Sequence, residues 1–205
     1  MLKYIGGIAM FGGYYNSRDT VSPQVSPTPA PYMQQGTQMP YIANYSTAYA
    51  AIAAGPDYPS ITGFVTFMDV PGGVRVCADV AGLPAYKPAT AGKQPVGPFG
   101  FHIHEKGNCD IGNPATPFEA SGGHWNPTNQ PHGNHAGDFP VLAASNGRAI
   151  MCFISDRFRV MDVLGKSAVI HENPDDYRTQ PAGNSGKRIA CGVIKPWNPY
   201  QQYMQ

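Results

Sequence analysis

The sequence predicts an all-β domain, either a sandwich or a barrel built from short strands. Between residues 61 and 194, short runs are rich in β-branched and aromatic residues, and the first two alternate apolar with polar or small residues. Glycine, proline and asparagine separate these runs. Several short strands with turn residues between them are typical of all-β sandwiches and barrels. No stretch shows the apolar period of an amphipathic helix.

The predicted strands follow one another along the chain. "ITGFVTFMDV" and "GGVRVCADVAGL" come first, and Pro71 with the glycines after it forms the turn between them. The later strands are "FGFHIHE", "RAIMCFIS", "SAVIHE" and "RIACGVI". Two stretches, roughly 107–137 and 173–187, fit no strand. Loops of this length in a compact domain are usually functional or disordered.

The two ends of the chain differ from this domain in composition. Residues 1–46 are rich in Pro, Tyr, Gln, Met, Ser and Thr, and residues 196–205 are similar. Such a segment buries too little apolar area to offset its ordering entropy. We therefore predict a folded domain over 47–195 between two low-complexity tails, the first of them disordered. The first 15 residues make a poor secretory signal, because glycines interrupt the apolar stretch and no small-residue cleavage site follows.

Composition and charge exclude two classes of partner. The net charge is +1 and the pI is about 7.7. Nucleic-acid binding favours a basic patch or stripe, which this balance does not suggest. No run of about 18 apolar residues occurs, so we expect no membrane-spanning helix. Charged residues make up only 13% of the chain, about half the usual share of ~25%.

The stretch "GFHIHEKGNC" carries two histidines on one predicted strand. His102 and His104 are two residues apart, so both imidazoles face the same side. One such pair is weak evidence, because strands carry it by chance. Together with His124 and His171, the pair would form a set of four nitrogen ligands. Imidazole-rich tetragonal geometry favours Cu²⁺.

A second set of ligand types lies in the glycine-rich stretch "GGHWNPTNQPHGNHAGD". It contains three histidines and a carboxylate, namely His124, His132, His135 and Asp138. Three imidazoles and one carboxylate suit tetrahedral Zn²⁺. His124 would then serve both metals.

From about Tyr49 to Lys195, the chain resembles the copper/zinc superoxide dismutase family. The resemblance is carried, in the family order and spacing, by "GFHIHEKGNC", "GGHWNP", "HGNHAGD", "VIHENPDD" and "GNSGKRIACGVI". The details are similar to the bacterial branch. The resemblance implies a Greek-key, eight-stranded β-barrel or sandwich of immunoglobulin-like arrangement, with two long functional loops.

The resemblance also implies copper and zinc as cofactors and assigns residues to each. The implied copper ligands are His102, His104, His124 and His171. The implied zinc ligands are His124, His132, His135 and Asp138. Asp175 corresponds to a carboxylate that links His102 and His132, and such a partner fixes the orientation of metal-bound rings. Arg188 corresponds to an arginine beside the copper, and Cys109 and Cys191 correspond to a disulfide.

The implied activity is the conversion of superoxide to dioxygen and hydrogen peroxide by Cu²⁺/Cu⁺ cycling, with His124 as a zinc-linked bridge. His124 and Arg188 are the implied catalytic residues, and superoxide is the implied partner. The segment between His171 and Arg188 is shorter than in eukaryotic relatives, and Ala182 stands where many relatives have threonine. Positive potential for an anion would then come from one or more of three other cations, Lys187, Arg178 and Lys106.

Two further cysteines, Cys77 and Cys152, lie within predicted strands. Strand alternation could bury both as small apolar residues, which is the usual interpretation. A second disulfide is the alternative.

The tails motivate an alternative function. Their Tyr/Pro/Gln/Met-rich composition resembles material of bacterial spore coats or cell-surface layers. The chain would then be a structural coat protein that binds metal with little turnover, or a dismutase held in such a layer by coat proteins. A copper store using the methionines of "PYMQQGTQMPY" and a zinc hydrolase are weaker alternatives. The expected location is extracytoplasmic, in a spore coat or at the cell surface, because a disulfide favours an oxidising compartment.

Overall fold

The computed structural model describes residues 46–197, which form an all-β domain. Its strands are β1 (Thr47–Ala54), β2 (Thr62–Val70), β3 (Gly73–Ala81), β4 (Phe101–His104), β5 (Ala149–Ser155), β6 (Ser167–His171) and β7 (Arg188–Pro196). A 3₁₀ turn at Glu119–Ser121 and a short helix, α1, at Val160–Val163 complete the elements. No helix in this part of the chain is long and apolar enough to cross a membrane.

All the strands join one antiparallel sheet of seven strands, in the order β4-β6-β7-β1-β2-β3-β5. The chain leaves β3 for β4 at the opposite end of the sheet and then returns to place β5 beside β3. Such long returns between sequential strands define Greek-key topology. The predicted all-β Greek-key class is confirmed.

The core lies on one face of this curled sheet. On β1, β2 and β3, alternate side chains are buried, as period-2 alternation requires. The largest fully buried side chains include Phe67, Phe99, Phe101 and Phe139. Each such side chain contributes roughly 1.5–3 kcal/mol by leaving water. The strands therefore provide a rigid support for the two long connections that carry the polar residues.

The family resemblance implies eight strands, and the sheet has seven. The segment 137–142 lies where the eighth strand would pair. It lies beside β4, where the Phe139 N–H donates to the Phe101 carbonyl at 3.2 Å and the Leu142 N–H donates to the Phe99 carbonyl at 2.8 Å. Only isolated bridges form in this segment. Pro140 lies in it and has no N–H to donate, and proline interrupts a regular ladder for that reason.

The predicted loops coincide with the two long connections of the sheet. Residues 107–137 lie in the connection from β4 to β5, and residues 173–187 lie in the connection from β6 to β7. Because β4 and β6 are antiparallel, the two connections leave this strand pair at opposite ends, one after His104 beside Ser167 and the other after His171 beside Gly100.

Cys77 and Cys152 form a disulfide, and the expectation that both are buried is wrong. They are directly opposed on β3 and β5, where Cys77 is half-buried and Cys152 is exposed. The physical reason is strand alternation. Arg75 and Asp79, two residues to either side of Cys77, share its solvent face.

The first and last strands of the described residues, β1 and β7, pair with each other. The Trp197 N–H donates to the Thr47 carbonyl at 2.8 Å, and the Trp197 ring meets Tyr49 edge-on at 5.4 Å. The predicted tails, 1–46 and 196–205, otherwise lie outside the described residues, and the prediction for them stays a prediction.

Candidate metal centre

The two histidines of β4 occupy the innermost part of the site. All four residues of this short strand are buried, because β6 covers one edge and segment 137–142 covers the other. His102 is 0% exposed and His104 is 1% exposed. Burying two imidazoles costs free energy unless each ring nitrogen has a partner. A strand that buries both histidines therefore requires partners for them nearby.

His124 and His171 complete a cluster around this pair. His171 ends β6, the neighbour of β4, and His124 lies on the β4–β5 connection in a bridge with His104. One ligand atom from each of the four histidines lies within 4.8 Å of the others. The structure thus brings together the four predicted copper ligands.

In two of these rings, one nitrogen donates to a backbone carbonyl and the other nitrogen is left free. The His104 Nδ1–H donates to the Gly122 carbonyl at 2.9 Å, and the His171 Nδ1–H donates to the Gly186 carbonyl at 3.2 Å. In each neutral ring the Nε2 atom is then an unprotonated acceptor. These two Nε2 atoms face each other at 3.2 Å. Two lone pairs aimed at one point are the arrangement that a cation requires.

Other ring nitrogens of the site are buried without any hydrogen-bond partner. They are His102 Nδ1, His124 Nε2, His132 Nδ1 and His135 Nδ1. Unsatisfied buried polar atoms are rare and call for an explanation such as an ion. All four belong to the predicted ligand sets, so the residues fit copper and zinc.

The zinc set forms around Asp138. Its Oδ1 lies 3.0 Å from His124 Nδ1 and 3.3 Å from His135 Nδ1, and its Oδ2 lies 3.3 Å from His132 Nδ1. The Gly133 N–H also donates to Oδ2, at 2.8 Å. The glycine-rich loop therefore closes on one carboxylate, and His124 presents Nδ1 to this set and Nε2 to the other.

Asp175 joins the two sets from behind. The His102 Nε2–H donates to its Oδ2 at 2.7 Å, and the His132 Nε2–H donates to its Oδ1 at 2.9 Å. The Tyr177 N–H donates to Oδ1 as well, at 2.7 Å. Both rings are thereby held with Nδ1 directed to the cluster, as is usual for metal-bound histidine.

Burial keeps the imidazoles of the copper set neutral. It lowers the pKa of His171 to about 3, with the neighbouring His124 as a further cause. The pKa values of His102 and His104 also lie well below the ordinary value, first through burial and then through neighbouring histidines. Neutral imidazole is the form that binds a metal.

Asp138 remains ionised although it is largely enclosed. Burial alone would raise the pKa of its carboxyl group, but the hydrogen bond from His124, the nearby His132 ring and the Gly133 N–H lower it below the ordinary value. The zinc set therefore offers one anion and three imidazoles, a ligand set that suits tetrahedral Zn²⁺.

These pKa shifts predict that the metal-free protein loses stability in mild acid. As the pH falls below about 6.5 the unfolded chain takes up protons on its histidines, whereas the folded chain does not. Each histidine with a strongly lowered pKa then lowers the free energy of unfolding by up to about 1.4 kcal/mol per pH unit. We expect the midpoint of urea unfolding of metal-free protein to fall between pH 7 and pH 5. An unchanged midpoint would contradict the lowered pKa values, since carboxylates titrate below this window.

Arg188 begins β7 and lies beside His104. Its Nη1 donates to the Phe118 carbonyl at 2.6 Å, and its Nη2 donates to the Gly122 carbonyl at 2.8 Å. The Gly122 carbonyl also accepts a hydrogen bond from His104, so a single backbone carbonyl orients both side chains. Burial lowers the pKa of Arg188, but an arginine stays charged in proteins. A fixed cation therefore lies next to the copper set.

The predicted disulfide between Cys109 and Cys191 is present. It joins the β4–β5 connection to β7, and both cysteines pack with Phe118 and Val169. In the chain-entropy model, a loop of this length contributes about 4 kcal/mol. Because the Phe118 carbonyl accepts from Arg188, the disulfide also fixes the position of the guanidinium.

The other predicted cations differ in their surroundings. Lys187 lines an open pocket of about 300 Å³ with Arg188 and Glu119, and it forms an ion pair with Asp57. Lys106 and Arg178 are exposed and do not line that pocket. Of the three cations, Lys187 is the one that lines this pocket together with Arg188, its neighbour in sequence.

The β1–β2 connection supports the site in a way that sequence reasoning missed. Tyr58 donates its O–H to Glu172, which follows His171, and Asp57 pairs with Lys187, which precedes Arg188. Burial and the Glu172 carboxylate raise the pKa of Tyr58 to about 12, so the phenol stays a donor. The connection thus anchors both ends of the loop that carries Asp175. Neither Asp57 nor Tyr58 has a sequence signal for this role, because their partners are more than a hundred residues away.

The fold and the site define a class of protein. It is a Greek-key β-domain with two histidine-rich clusters that could each hold a metal ion and that share His124.

Comparisons with known proteins identify the family. Residues 61–194 match the family described as copper/zinc superoxide dismutase (SODC). The chain is 39% identical over 155 residues to superoxide dismutase [Cu-Zn] from Deinococcus radiodurans, covering 67% of this chain and 79% of that protein. It is also 39% identical over 145 residues to superoxide dismutase [Cu-Zn] from Legionella pneumophila, covering 67% and 80%. This chain belongs to the copper/zinc superoxide dismutase family.

A solved structure agrees with this assignment. The Cu/Zn superoxide dismutase from Brucella abortus superposes with a TM-score of 0.59 at 27% sequence identity, and the match covers 73% of this chain and 99% of that one. The family implies copper and zinc as cofactors, and the two histidine sets could hold them.

Proposed function

We propose that this protein is a superoxide dismutase that converts superoxide to dioxygen and hydrogen peroxide. The observation that carries the proposal is the position of His124, whose two ring nitrogens face different ligand sets. The fixed cation of Arg188 beside the copper set and the family relation support it as well.

The side chains of the site have separate roles in this reaction. His102, His104, His124 and His171 would hold copper, which when bound supplies the one-electron redox couple. Arg188 attracts and orients the superoxide anion through its charge. His124 can hold a proton at Nε2 while Nδ1 stays with the zinc set, and it can deliver that proton to the reduced anion. Burial of the ligands keeps bulk water from the rings.

The test of this proposal is stopped-flow decay of superoxide by protein loaded with copper and zinc, normalised to bound copper. We expect a second-order rate constant that approaches the diffusional ceiling of about 10⁹ M⁻¹s⁻¹. Decay no faster than an equal amount of free copper would refute the proposal and would favour a structural role for the site.

Replacing Arg188 with alanine is expected to slow superoxide capture about tenfold, because electrostatic attraction of an anion is lost. Copper and zinc content should stay near one each per chain, since Arg188 supplies no ligand atom. Arg188→Lys is the matched control, because it keeps the charge while it loses the paired donors. Stopped-flow rates at low and high ionic strength measure the effect. Unchanged capture in Arg188→Ala would show that the arginine does not guide the anion.

We also propose an extracytoplasmic location. Two disulfides in the described residues support it, because such bonds persist in oxidising compartments. Fractionation of cells with an antibody to the folded domain tests it, and recovery in the cytosolic fraction would refute it. Placement in a spore coat or surface layer, with coat proteins as partners, rests on the tail composition and remains a prediction.

A further inference from the structure

The disulfide between Cys77 and Cys152 differs from the other disulfide in its surroundings. It lies on the solvent face of the sheet, where Cys152 is exposed and Cys77 is half-buried. In the Cys109–Cys191 bond, Cys191 is 1% exposed and Cys109 is half-buried, and both pack against Phe118. Because thiol–disulfide exchange requires access to a sulfur atom, the two bonds offer different targets.

The strand order opens one sulfur atom to attack and shields the other. Exchange is a displacement in which the incoming sulfur, the attacked sulfur and the leaving sulfur lie in line. The bond runs from β3 to β5, and β5 is the last strand of the described sheet, so a thiolate reaches Cys152 from the open edge. The same approach to Cys77 would pass over β2, where Thr66 is its directly opposed neighbour. Attack at Cys152 is therefore favoured.

The backbone at Cys152 is oriented toward the same open edge. The Cα atoms of Cys77 and Cys152 are 4.1 Å apart. This spacing belongs to the closely spaced, non-hydrogen-bonded pairs of an antiparallel ladder. In such a pair the N–H and C=O groups point away from the partner strand, so those of Cys152 point away from β3. Ile150 and Ile154, on the same face, are 66% and 62% exposed.

We propose that the Cys77–Cys152 disulfide is a thiol-exchange site, attacked at Cys152 Sγ by the thiolate of a cysteine in an extended polypeptide segment. The open backbone groups suit pairing with such a segment, and the exposed isoleucines suit its apolar side chains. In the first step the new sulfur–sulfur bond forms at Cys152 and Cys77 leaves as a thiolate. A second thiolate can then attack the incoming sulfur, which releases the Cys152 thiolate. The two steps together reduce the protein disulfide by two electrons and oxidise two thiols to one disulfide.

Exchange at this bond leaves the rest of the domain in place. β3 and β5 are paired in continuous register from Val74 with Ser155 to Val80 with Ala149, so the backbone ladder holds β5 when the bond opens. None of the predicted metal ligands lies on β3 or β5. Metal content and fold therefore give independent readouts of specific exchange.

The experiment uses the full chain loaded with copper and zinc. The protein is incubated with a cysteine peptide of alternating valines or, at equal thiolate concentration, with reduced glutathione. Reaction is stopped by alkylation, and adducts are located by peptide mass spectrometry. We expect a mixed disulfide on Cys152, formed about tenfold faster than any adduct on Cys109 or Cys191 because of access. The peptide should react faster than glutathione, while metal content stays constant.

A variant of the neighbouring strand tests the geometric argument. Thr66→Ala opens the approach over β2, so it should add a fraction of mixed disulfide on Cys77 that the parent protein lacks. Adducts on Cys109 or Cys191 first, or equal adducts on Cys77 and Cys152 in the parent protein, would overturn the proposal. A faster reaction with glutathione than with the peptide would overturn the assignment of a polypeptide thiol.

Discussion

His124→Ala is expected to lower superoxide dismutation by about 10²–10⁴-fold, the usual contribution of a positioned proton donor. The ring also supplies one nitrogen to each ligand set, through Nε2 and Nδ1. The variant should therefore bind both copper and zinc more weakly, which metal analysis after dialysis against a weak chelator measures.

Two variants with a ligand in only one set are the controls. His135→Ala removes a nitrogen from the zinc set, and His171→Ala removes one from the copper set. Each should weaken mainly the metal of its own set, whereas His124→Ala weakens both. Normal turnover, or loss of a single metal, in His124→Ala would refute the shared position of this ring.

Gly183→Ala is expected to lower the affinity for both metals by about 10–100-fold, the usual effect of disturbing a residue that orients metal ligands. A Cβ atom at this position would lie 1.9 Å from Asp175 Oδ1 and 2.5 Å from His132 Nε2. No side chain fits there, so the Asp175 carboxylate must move and release the rings it holds. Titration with each metal by calorimetry measures the loss.

Gly112→Ala separates this clash from backbone strain. Gly112 has φ +60, close to the φ of +62 at Gly183, but a Cβ atom there meets nothing within 4 Å. Both variants carry the cost of a left-handed backbone, about 1–2 kcal/mol. Only Gly183→Ala should lose metal affinity. Equal losses in the two variants would mean that strain, and not Asp175, is the cause.

The fold could be predicted where strand residues have the expected chemistry. The runs that form β2 to β7 are rich in β-branched or aromatic residues and are bounded by turn residues. β1 was not predicted as a strand, because its sequence, TAYAAIAA, is rich in alanine, which is uncommon in strands. Pairing with β2 and β7 on its two edges outweighs that preference.

The clustering of the candidate metal ligands could be predicted, because few residue types bind copper or zinc and their spacing is characteristic. The groups that orient them could not. The carbonyls of Gly122 and Gly186 fix the free nitrogens of His104 and His171, yet every residue has a carbonyl, so no sequence signal distinguishes these two. The outward position of Cys77 could have been inferred, since Arg75 and Asp79 share its strand face.

The two oxygens of Asp175 contact rings of different sets, and His124 belongs to both sets. Ordering one set therefore orders part of the other before its own ion arrives. By thermodynamic reciprocity, whatever factor zinc adds to copper affinity, copper adds to zinc affinity. A titration with either ion therefore measures the same coupling between the two sets, and its sign shows whether Asp175 and His124 favour joint or separate loading.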